Sequence, residues 1–230
     1  GNPIDGAGTS QPSDFLENTA SFSLTANSTE GCGTVNSNGV TVEVYAPLEL
    51  DPSMADQTIC FGTVPKHITN AGAAGASESY SYQWQQNTGS GWSAISGETT
   101  TEYQPGSLTT TTEYRIVVTD DAGCGTLNGA SNTVTVLSNL EPGSVTASTV
   151  ELCYLDDFTV SGTFAMGADG DITNTWYVQL DGDGFAADDG LTGTTWTVDP
   201  ATVDHDIFIE SVSNFGCGTV YSDTLHVEVL

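Results

Sequence analysis

Five cysteines are the residues of this 230-residue chain whose spacing says most about its chemistry. Cys32, Cys124 and Cys217 each lie in the tetrapeptide Gly-Cys-Gly-Thr, and they are 92 and 93 residues apart. Cys60 and Cys153 are also 93 residues apart, and each precedes a Gly-Cys-Gly-Thr cysteine by 64 residues. A fixed period of this length indicates a structural repeat.

The cysteine pattern is typical of disulfides and not of a metal site. The sequence contains no Cys-x-x-Cys pair, and no histidine lies at ligand spacing from a cysteine. Since the two 64-residue intervals are equal, we predict the bridges Cys60–Cys124 and Cys153–Cys217, each inside one repeat. Cys32 is then unpaired or bonded to another molecule. Such bridges persist outside the cytosol, so we expect an extracellular or cell-surface location.

One acidic segment has part of the pattern of a calcium-binding loop. Carboxylates and glycines alternate through Asp181-Gly-Asp183-Gly, and Asp188 and Asp189 follow closely. No glutamate closes a twelve-residue loop, and the preceding repeat has the uncharged Asn87-Thr-Gly-Ser-Gly91 at this place. The segment is therefore either a weak Ca²⁺ site formed by these four aspartates or a plain acidic hairpin. No other cofactor is expected.

Aromatic residues suggest two different roles. Trp84 and Trp176 follow the first cysteine of each repeat by 24 and 23 residues, and we expect them to pack in the core against the disulfides. Trp92, Tyr103 and Trp196 are less constrained and could form an exposed platform for surface glycans.

Candidate catalytic groups are few. Asp204-His205-Asp206 invites a catalytic or metal-binding interpretation, but it lies where an apolar strand begins and no nucleophile accompanies it. We therefore assign no catalytic residues and do not expect an enzyme.

The elements that position these residues are predicted to be β-strands. Thr, Ser, Val and Gly dominate the composition, and this favours strands and turns over helices. Apolar residues alternate on both sides of each Gly-Cys-Gly turn, which predicts two antiparallel strands around it. These residues are Phe22, Leu24, Val42 and Val44; Tyr114, Ile116, Val134 and Val136; and Ile207, Ile209, Val227 and Val229.

The predicted fold class is all-β, with tandem immunoglobulin-like β-sandwich repeats and one disulfide per repeat. Residues 48–138 and 139–230 each approach the usual size of such a sandwich and contain a Cys…Trp…Cys order. Residues 1–47 match only the C-terminal half of a repeat. Half a sandwich cannot bury its inner face alone. We expect the missing strands to come from the same, longer chain or from a neighbouring molecule.

The charge excludes several classes of partner. The chain has 30 acidic residues and only two basic ones, Lys66 and Arg115, which gives a formal net charge of −28. A surface of this sign repels phosphate backbones and anionic lipids, so nucleic-acid binding is not expected. No apolar run is long enough to span a membrane, so membrane insertion is not expected either.

Several segments resemble the immunoglobulin-like repeats of very large Bacteroidota surface proteins, which include gliding adhesins and cargo of the type IX secretion system. The resemblance is carried by Thr58-Ile-Cys60-Phe-Gly-Thr-Val-Pro65, Tyr80-Ser-Tyr-Gln-Trp84-Gln-Gln, Trp92-Ser-Ala-Ile-Ser-Gly97, Tyr103-Gln-Pro105 and Thr112-Glu-Tyr114-Arg-Ile-Val-Val118. It covers most of residues 48–138 and is weaker in residues 141–230. It implies an adhesin, stalk or surface filament.

These observations lead to one main functional hypothesis and two alternatives. The main hypothesis is a non-catalytic extracellular structural or adhesive segment whose partners are neighbouring repeats or copies of itself. One alternative is a carbohydrate-binding spacer of an exported protein. The other is a filament subunit that is completed by strand exchange with a neighbour.

Overall fold

The computed structural model describes residues 16–51, 54–168, 170–180, 183–188, 191, 193–198 and 200–230. All regular secondary structure in these ranges is β-strand, so the predicted all-β class is confirmed. We call residues 1–47, 48–138 and 139–230 the N-terminal, middle and C-terminal units. These boundaries stay predictions from the sequence period.

The described part of the N-terminal unit, residues 16–47, contains four short strands. They are β1 (Ala20–Phe22), β2 (Thr25–Asn27), β3 (Thr34–Asn36) and β4 (Val40–Val42). β1 pairs with β4 and β2 pairs with β3, both antiparallel, so the segment is one long hairpin around the turn that holds Cys32.

Ten strands are formed by the residues of the middle unit that the structure describes. They are β5 (Glu49–Leu50), β6 (Gln57–Ile59), β7 (Ile68–Thr69), β8 (Ala73–Ala74), β9 (Tyr80–Asn87), β10 (Ser93–Ala94), β11 (Glu102–Tyr103), β12 (Thr112–Asp120), β13 (Thr126–Asn128) and β14 (Asn132–Val136). The main sheet has the order β10-β9-β12-β14-β6, and β13 extends the pairing of β12. β7 pairs with β11 on the opposite side of the core, and β5 pairs with β8.

The C-terminal unit repeats this arrangement, with eleven strands among its described residues. They are β15 (Ser138–Glu141), β16 (Ser144–Ala147), β17 (Glu151–Leu152), β18 (Phe158–Thr163), β19 (Met166–Ala168), β20 (Ile172–Leu180), β21 (Ala186–Asp188), β22 (Thr195–Val198), β23 (His205–Ser213), β24 (Thr219–Tyr221) and β25 (Leu225–Val229). The main sheet has the order β17-β25-β23-β20-β21, with β24 on β23, and it faces the sheet β16-β18-β22. β15 pairs with β19.

The strand order identifies both units as immunoglobulin-like sandwiches. In each main sheet the two longest strands are antiparallel neighbours, and a short strand from the start of the unit joins the far edge in parallel to the last strand. These correspond to the C, F and G strands of that architecture with the first strand added beside G.

Each sandwich has its own hydrophobic core, because strand side chains alternate between the core and the outside. β12 and β23 bury every second residue along their length. The cores form around Trp84 and Trp176, which are 0% and 1% exposed. Their indole N–H groups donate to the carbonyl oxygens of Thr100 and Gly193 over 2.8 and 3.1 Å. The prediction that both tryptophans lie in the core is confirmed. The predicted packing against a disulfide of the same unit is wrong, because the bond formed among the described residues joins Cys60 to Cys217 of different units.

The N-terminal hairpin has no such core within the described residues. Val40 and Val42 are 64% and 41% exposed, whereas Val134, at the position matching Val42 one period later, is fully buried. The apolar face that the repeat pattern builds is therefore open to solvent in this hairpin.

Candidate functional site

The junction between the middle and C-terminal units is closed by a disulfide. Cys60 follows β6 and lies at the end of the middle sandwich where β14 leads into the linker. Cys217 lies in the turn between β23 and β24. The two residues are bonded, with Cα atoms 5.2 Å apart across a sequence separation of 157 residues. Cys32, Cys124 and Cys153 are free and exposed.

This bond corrects the predicted pairing of Cys60 with Cys124 and the prediction of one disulfide inside each repeat. β6 runs parallel to β14, with Ile59 beside Val136, and β14 runs antiparallel to β12. Cys60 therefore lies at the end of the sheet where β12 begins, and Cys124 lies beyond the end of β12. Nine residues of strand separate them by roughly 30 Å. A disulfide requires Cα atoms within about 7 Å.

The same geometry overturns the predicted bridge between Cys153 and Cys217. Leu152 pairs with Val229 at one end of the C-terminal sheet, and Cys217 follows Ser213 at the other end of β23. In both units, then, one cysteine lies at each end of the sandwich, and only cysteines of successive units can meet.

The two strand-end cysteines occupy matching backbone structures. In both places the carbonyl of the cysteine accepts a hydrogen bond from the amide three residues later. The carbonyl of the residue before the cysteine accepts a second one, from the amide of the residue that follows β14 or β25, the last strand of the unit's main sheet. These bonds are Thr63 to Cys60 (3.2 Å), Asp156 to Cys153 (3.0 Å), Leu137 to Ile59 (2.9 Å) and Leu230 to Leu152 (2.9 Å). Gly62 and Leu155, one period apart, both have positive φ, at 73° and 71°.

The three Gly-Cys-Gly turns also share one backbone conformation. Two hydrogen bonds close each turn, one on either side of the cysteine. They are Gly31 to Ser28 (3.4 Å) and Ser28 to Gly33 (3.0 Å), Gly123 to Asp120 (3.1 Å) and Asp120 to Gly125 (3.0 Å), and Gly216 to Ser213 (3.1 Å) and Ser213 to Gly218 (3.0 Å). Both glycines of every turn have positive φ. Glycine adopts this conformation without a Cβ clash, which explains why it flanks each cysteine.

The linkers that lead into the two sandwiches are held by strand pairing that is also repeated in both units. β5 pairs with β8 and β15 pairs with β19, so each linker forms a short antiparallel ladder with the unit it enters. Gly75 and Gly167 have positive φ, and a Cβ on either would overlap a linker carbonyl, that of Pro47 or Asn139. Neither glycine is among the residues predicted from the sequence, although their spacing of 92 residues matches the cysteine period.

Asp120 is buried beneath the Cys124 turn. Its carboxylate accepts hydrogen bonds from the amide and hydroxyl of Ser77, at 2.9 and 2.5 Å, and from the amide of Cys124 at 3.0 Å. The Ser77 hydroxyl and these amides hold the pKa of Asp120 far below its usual range. Partial desolvation raises the pKa of the Cys124 thiol, and the hydrogen bond and charge of Asp120 raise it further.

The Asp204-His205-Asp206 segment does not assemble a catalytic group. The His205 ring is buried and bonds through Nδ1 to the carbonyl of Val203 at 2.7 Å, and desolvation lowers its pKa. Asp206 points to the other side of the strand, where it meets His226 Nδ1 at 2.7 Å and raises the pKa of that imidazole. Neighbouring residues of a strand face opposite sides, so His205 is turned away from both aspartates. Asp204 accepts a hydrogen bond from the amide of Val229 at 2.8 Å, and neither carboxylate is bonded to the His205 ring in the described contacts.

The predicted aromatic platform is not formed. Tyr103 packs between Trp84 and Tyr114, with ring centroids 5.9 and 5.6 Å away, and burial raises its pKa. Trp196 packs against the core of the C-terminal unit. Trp92 is half-buried, and the guanidinium of Arg115 covers one face of its ring at 4.3 Å from the centroid.

The predicted calcium residues fall largely outside the described part of the chain. Asp181 and Asp189 lie outside it, Asp188 ends β21, and Asp183 is exposed with its amide bonded to the Leu180 carbonyl. Among the described residues, no group of three or more His, Cys, Asp or Glu side chains could hold a metal ion. Calcium binding stays a prediction.

The fold and the junction define a class of protein: immunoglobulin-like β-sandwiches joined in a row, with a disulfide across the joint. A family model described as "Domain of unknown function (DUF8696)" matches residues 53–138. No curated protein is significantly similar in sequence. Within the described residues, no helix is long and apolar enough to cross a membrane.

Several solved structures are similar to this chain at low sequence identity. Domains A168–A170 of titin are 15% identical, with a TM-score of 0.45 over 92% of this chain and 75% of that one. Extracellular domains 3–5 of Drosophila OTK are 15% identical, with a TM-score of 0.44 over 87% of this chain and 68% of that one. The fibronectin(III)-like modules of Clostridium thermocellum CbhA are 14% identical, with a TM-score of 0.29 over 80% and 93%.

Proposed function

We propose that this chain is a non-catalytic structural segment of an extracellular stalk, filament or adhesin, in which sandwiches are locked into a stiff row. The observation that carries the proposal is the Cys60–Cys217 bond, because it joins two successive units and not two strands of one unit. A covalent bond at this place stops the two units from moving apart.

The linker supports the same role. A flexible linker between domains needs exposed backbone and few contacts. Here, by contrast, β15 pairs with β19, and the close approach of Gly167 to Asn139 leaves no space for the strand to slide. The disulfide and the ladder restrain the joint at two separate points, which favours a fixed angle between the units.

The disulfide and the net charge support an extracellular location for such a row of sandwiches. Disulfides of this kind are stable in oxidising surroundings, which supports an extracellular location. A net charge of −28 keeps closely packed copies soluble by mutual repulsion. The resemblance of residues 58–118 to repeats of Bacteroidota surface proteins agrees with this proposal.

Force spectroscopy on single molecules held at both ends tests the proposal. In the oxidised chain the segment from Cys60 to Cys217, a sequence separation of 157, cannot extend, so full unfolding should release about 550 Å less contour length than in the reduced chain. The variant Cys60→Ser should restore this length, and Cys124→Ser, the matched control, should leave the oxidised contour unchanged. If the oxidised and reduced chains extend equally, the joint is not locked and the proposed role is wrong.

A further inference from the structure

Four aromatic rings lie together on the outer face of the main sheet of the C-terminal unit. Tyr177 of β20 and Phe208 of β23 are cross-strand neighbours, and their rings stack with centroids 5.0 Å apart. Phe185 and Tyr221 each meet the Phe208 ring in a T-shaped contact, at centroid distances of 4.9 and 5.9 Å. Phe185 and Tyr221 are 43% and 55% exposed. These four rings, which we call the aromatic cluster, are therefore open to solvent.

A carboxylate lies beside the aromatic cluster. Glu210 is two residues after Phe208 on β23, so the two side chains share one face of the sheet. One carboxylate oxygen of Glu210 accepts a hydrogen bond from the hydroxyl of Tyr177 at 3.2 Å, and the other accepts one from the hydroxyl of Tyr221 at 3.1 Å. A carboxylate has about four acceptor positions, so Glu210 can also accept two parallel bonds from a forked donor.

The middle unit has a cation at the matching place. One period earlier, Arg115 is at the position of Phe208. Arg115 is the cross-strand neighbour of Gln85, just as Phe208 is that of Tyr177. The Arg115 guanidinium covers the ring of Trp92 at 4.3 Å from the centroid, and its Nε donates to the Gln85 side chain at 2.8 Å. A cation on a ring face is favourable, because the face of the ring is electrostatically negative.

The C-terminal unit has no lysine or arginine for this place. Residues 139–230 include 16 Asp and Glu residues and no Lys or Arg. The imidazole of His226 is bonded to Asp206 at 2.7 Å. A second copy of this chain does not fit as the source, because its single arginine, Arg115, already covers Trp92 and because copies with a net charge of −28 repel each other. The group that complements the cluster must therefore belong to a different, basic molecule.

We propose that the aromatic cluster and Glu210 form a binding site for an arginine side chain of a basic protein partner. The planar guanidinium stacks on the exposed ring of Tyr221, and its N–H groups donate to the Glu210 carboxylate. Arginine is preferred to lysine, since an ammonium group presents no planar fork to a carboxylate. The negative charge of the chain attracts such a partner. The site adds a partner to the proposed structural role and does not depend on the locked joint.

Binding of a fluorescently labelled peptide of alternating glycine and arginine tests the inference. Fluorescence anisotropy measures its affinity for the oxidised full chain at physiological ionic strength, where exposed charges are screened beyond about 8 Å. Glu210→Gln and Tyr221→Leu should each weaken binding about tenfold. Glu102→Gln is the matched control, because it removes the same charge from an exposed residue of the middle unit, and it should leave the affinity unchanged.

A further variant fills the site from within the chain. Phe208→Arg gives β23 the residue that β12 has at Arg115, and its guanidinium should pair with Glu210 and block the peptide. Proton NMR provides a second measurement. The Hδ protons of the peptide arginines should move upfield on binding to the unaltered chain, because an aromatic ring shields protons above its face. They should not move with Tyr221→Leu, whose altered residue is more than half exposed and is not needed for folding.

Three results would overturn the inference. Equal weakening by Glu210→Gln and Glu102→Gln would show a general attraction between opposite charges. Equal affinity for a peptide of alternating glycine and lysine would show that the guanidinium is not recognised. Binding of a neutral glucan hexasaccharide that Tyr221→Leu abolishes, without binding of the arginine peptide, would assign the rings to carbohydrate. All three leave the force measurement on the Cys60–Cys217 joint unaffected, so they would not reject the proposed structural role.

Discussion

Gly167 lies so close to Asn139 that a methyl group on Gly167 would overlap the Asn139 carbonyl oxygen. Gly75 has the same relationship to Pro47 one period earlier. Both glycines have positive φ, and the residue after each, Ala76 or Ala168, does too. The joint between units therefore depends on backbone atoms and not only on the disulfide, and this can be tested separately.

Replacing Gly167 with alanine should force the linker strand away from β19. The added Cβ has no space, and alanine is also strained at φ 107°, so we expect the unfolding free energy of the C-terminal unit to fall by about 2 kcal/mol. Gly106→Ala is the control, because Gly106 has open space around it and no positive φ. Urea denaturation measures both. Equal stability of the two variants would show that the linker moves freely.

Removing the disulfide should have a different effect from removing a free thiol. On the chain-entropy model a loop of 157 residues contributes about 5 kcal/mol. Cys60→Ser and Cys217→Ser should each lower the denaturation midpoint of the oxidised chain, whereas Cys124→Ser and Cys153→Ser should leave it unchanged. A lower midpoint in the Cys124→Ser variant would instead favour bridges inside each unit.

Asp120 should slow the reaction of Cys124 with alkylating agents. Desolvation raises the pKa of the thiol and the Asp120 carboxylate raises it further, so less thiolate is present near neutral pH. Asp120→Ser copies the residue that the other two turns have at this place, Ser28 and Ser213, and we expect it to increase the alkylation rate of Cys124. Modification of Cys32 in the same sample is the internal control. An unchanged rate ratio would contradict the assigned role of Asp120.

The pKa values of His205 in β23 and His226 in β25 should be shifted in opposite directions from that of a free histidine. The hydrogen bond to Asp206 raises the pKa of His226 above its usual value, whereas desolvation lowers the pKa of His205. The His226 contribution to stability is then present at acid pH and lost as the pH rises through its folded pKa. For His205 the sign is opposite. As the pH falls below about 6.5, the unfolded chain binds a proton at His205 more readily than the folded chain, so the free energy of unfolding decreases.

NMR titration of the imidazole carbons measures both pKa values. Asp206→Asn should return the pKa of His226 towards that of an exposed histidine and leave the pKa of His205 unchanged. In the described contacts Asp206 is bonded to the His226 ring, whereas the His205 ring is bonded to the carbonyl of Val203. A shift of both histidines by equal amounts would contradict this assignment.

Local sequence patterns were sufficient to predict the strands and the core. The alternation around Tyr114 and Ile116 predicts one buried face, and both residues are buried. The predicted turns at Cys32, Cys124 and Cys217 are present, since glycine on both sides of the cysteine permits positive φ at short range. These features depend on neighbouring residues along the chain, and the sequence records them directly.

The partner of each cysteine was decided only by the tertiary structure. A bridge inside a repeat joins residues 64 apart, and a bridge between repeats joins residues 157 apart, which is one period more; both intervals obey the same repeat. Only the parallel pairing of β6 with β14 shows that Cys60 and Cys124 lie at opposite ends of one sheet. Likewise, the sequence did not place Tyr103 and Trp196 inside or outside a sandwich. The side that a strand residue faces depends on strand register, which is set by pairing over long sequence distances.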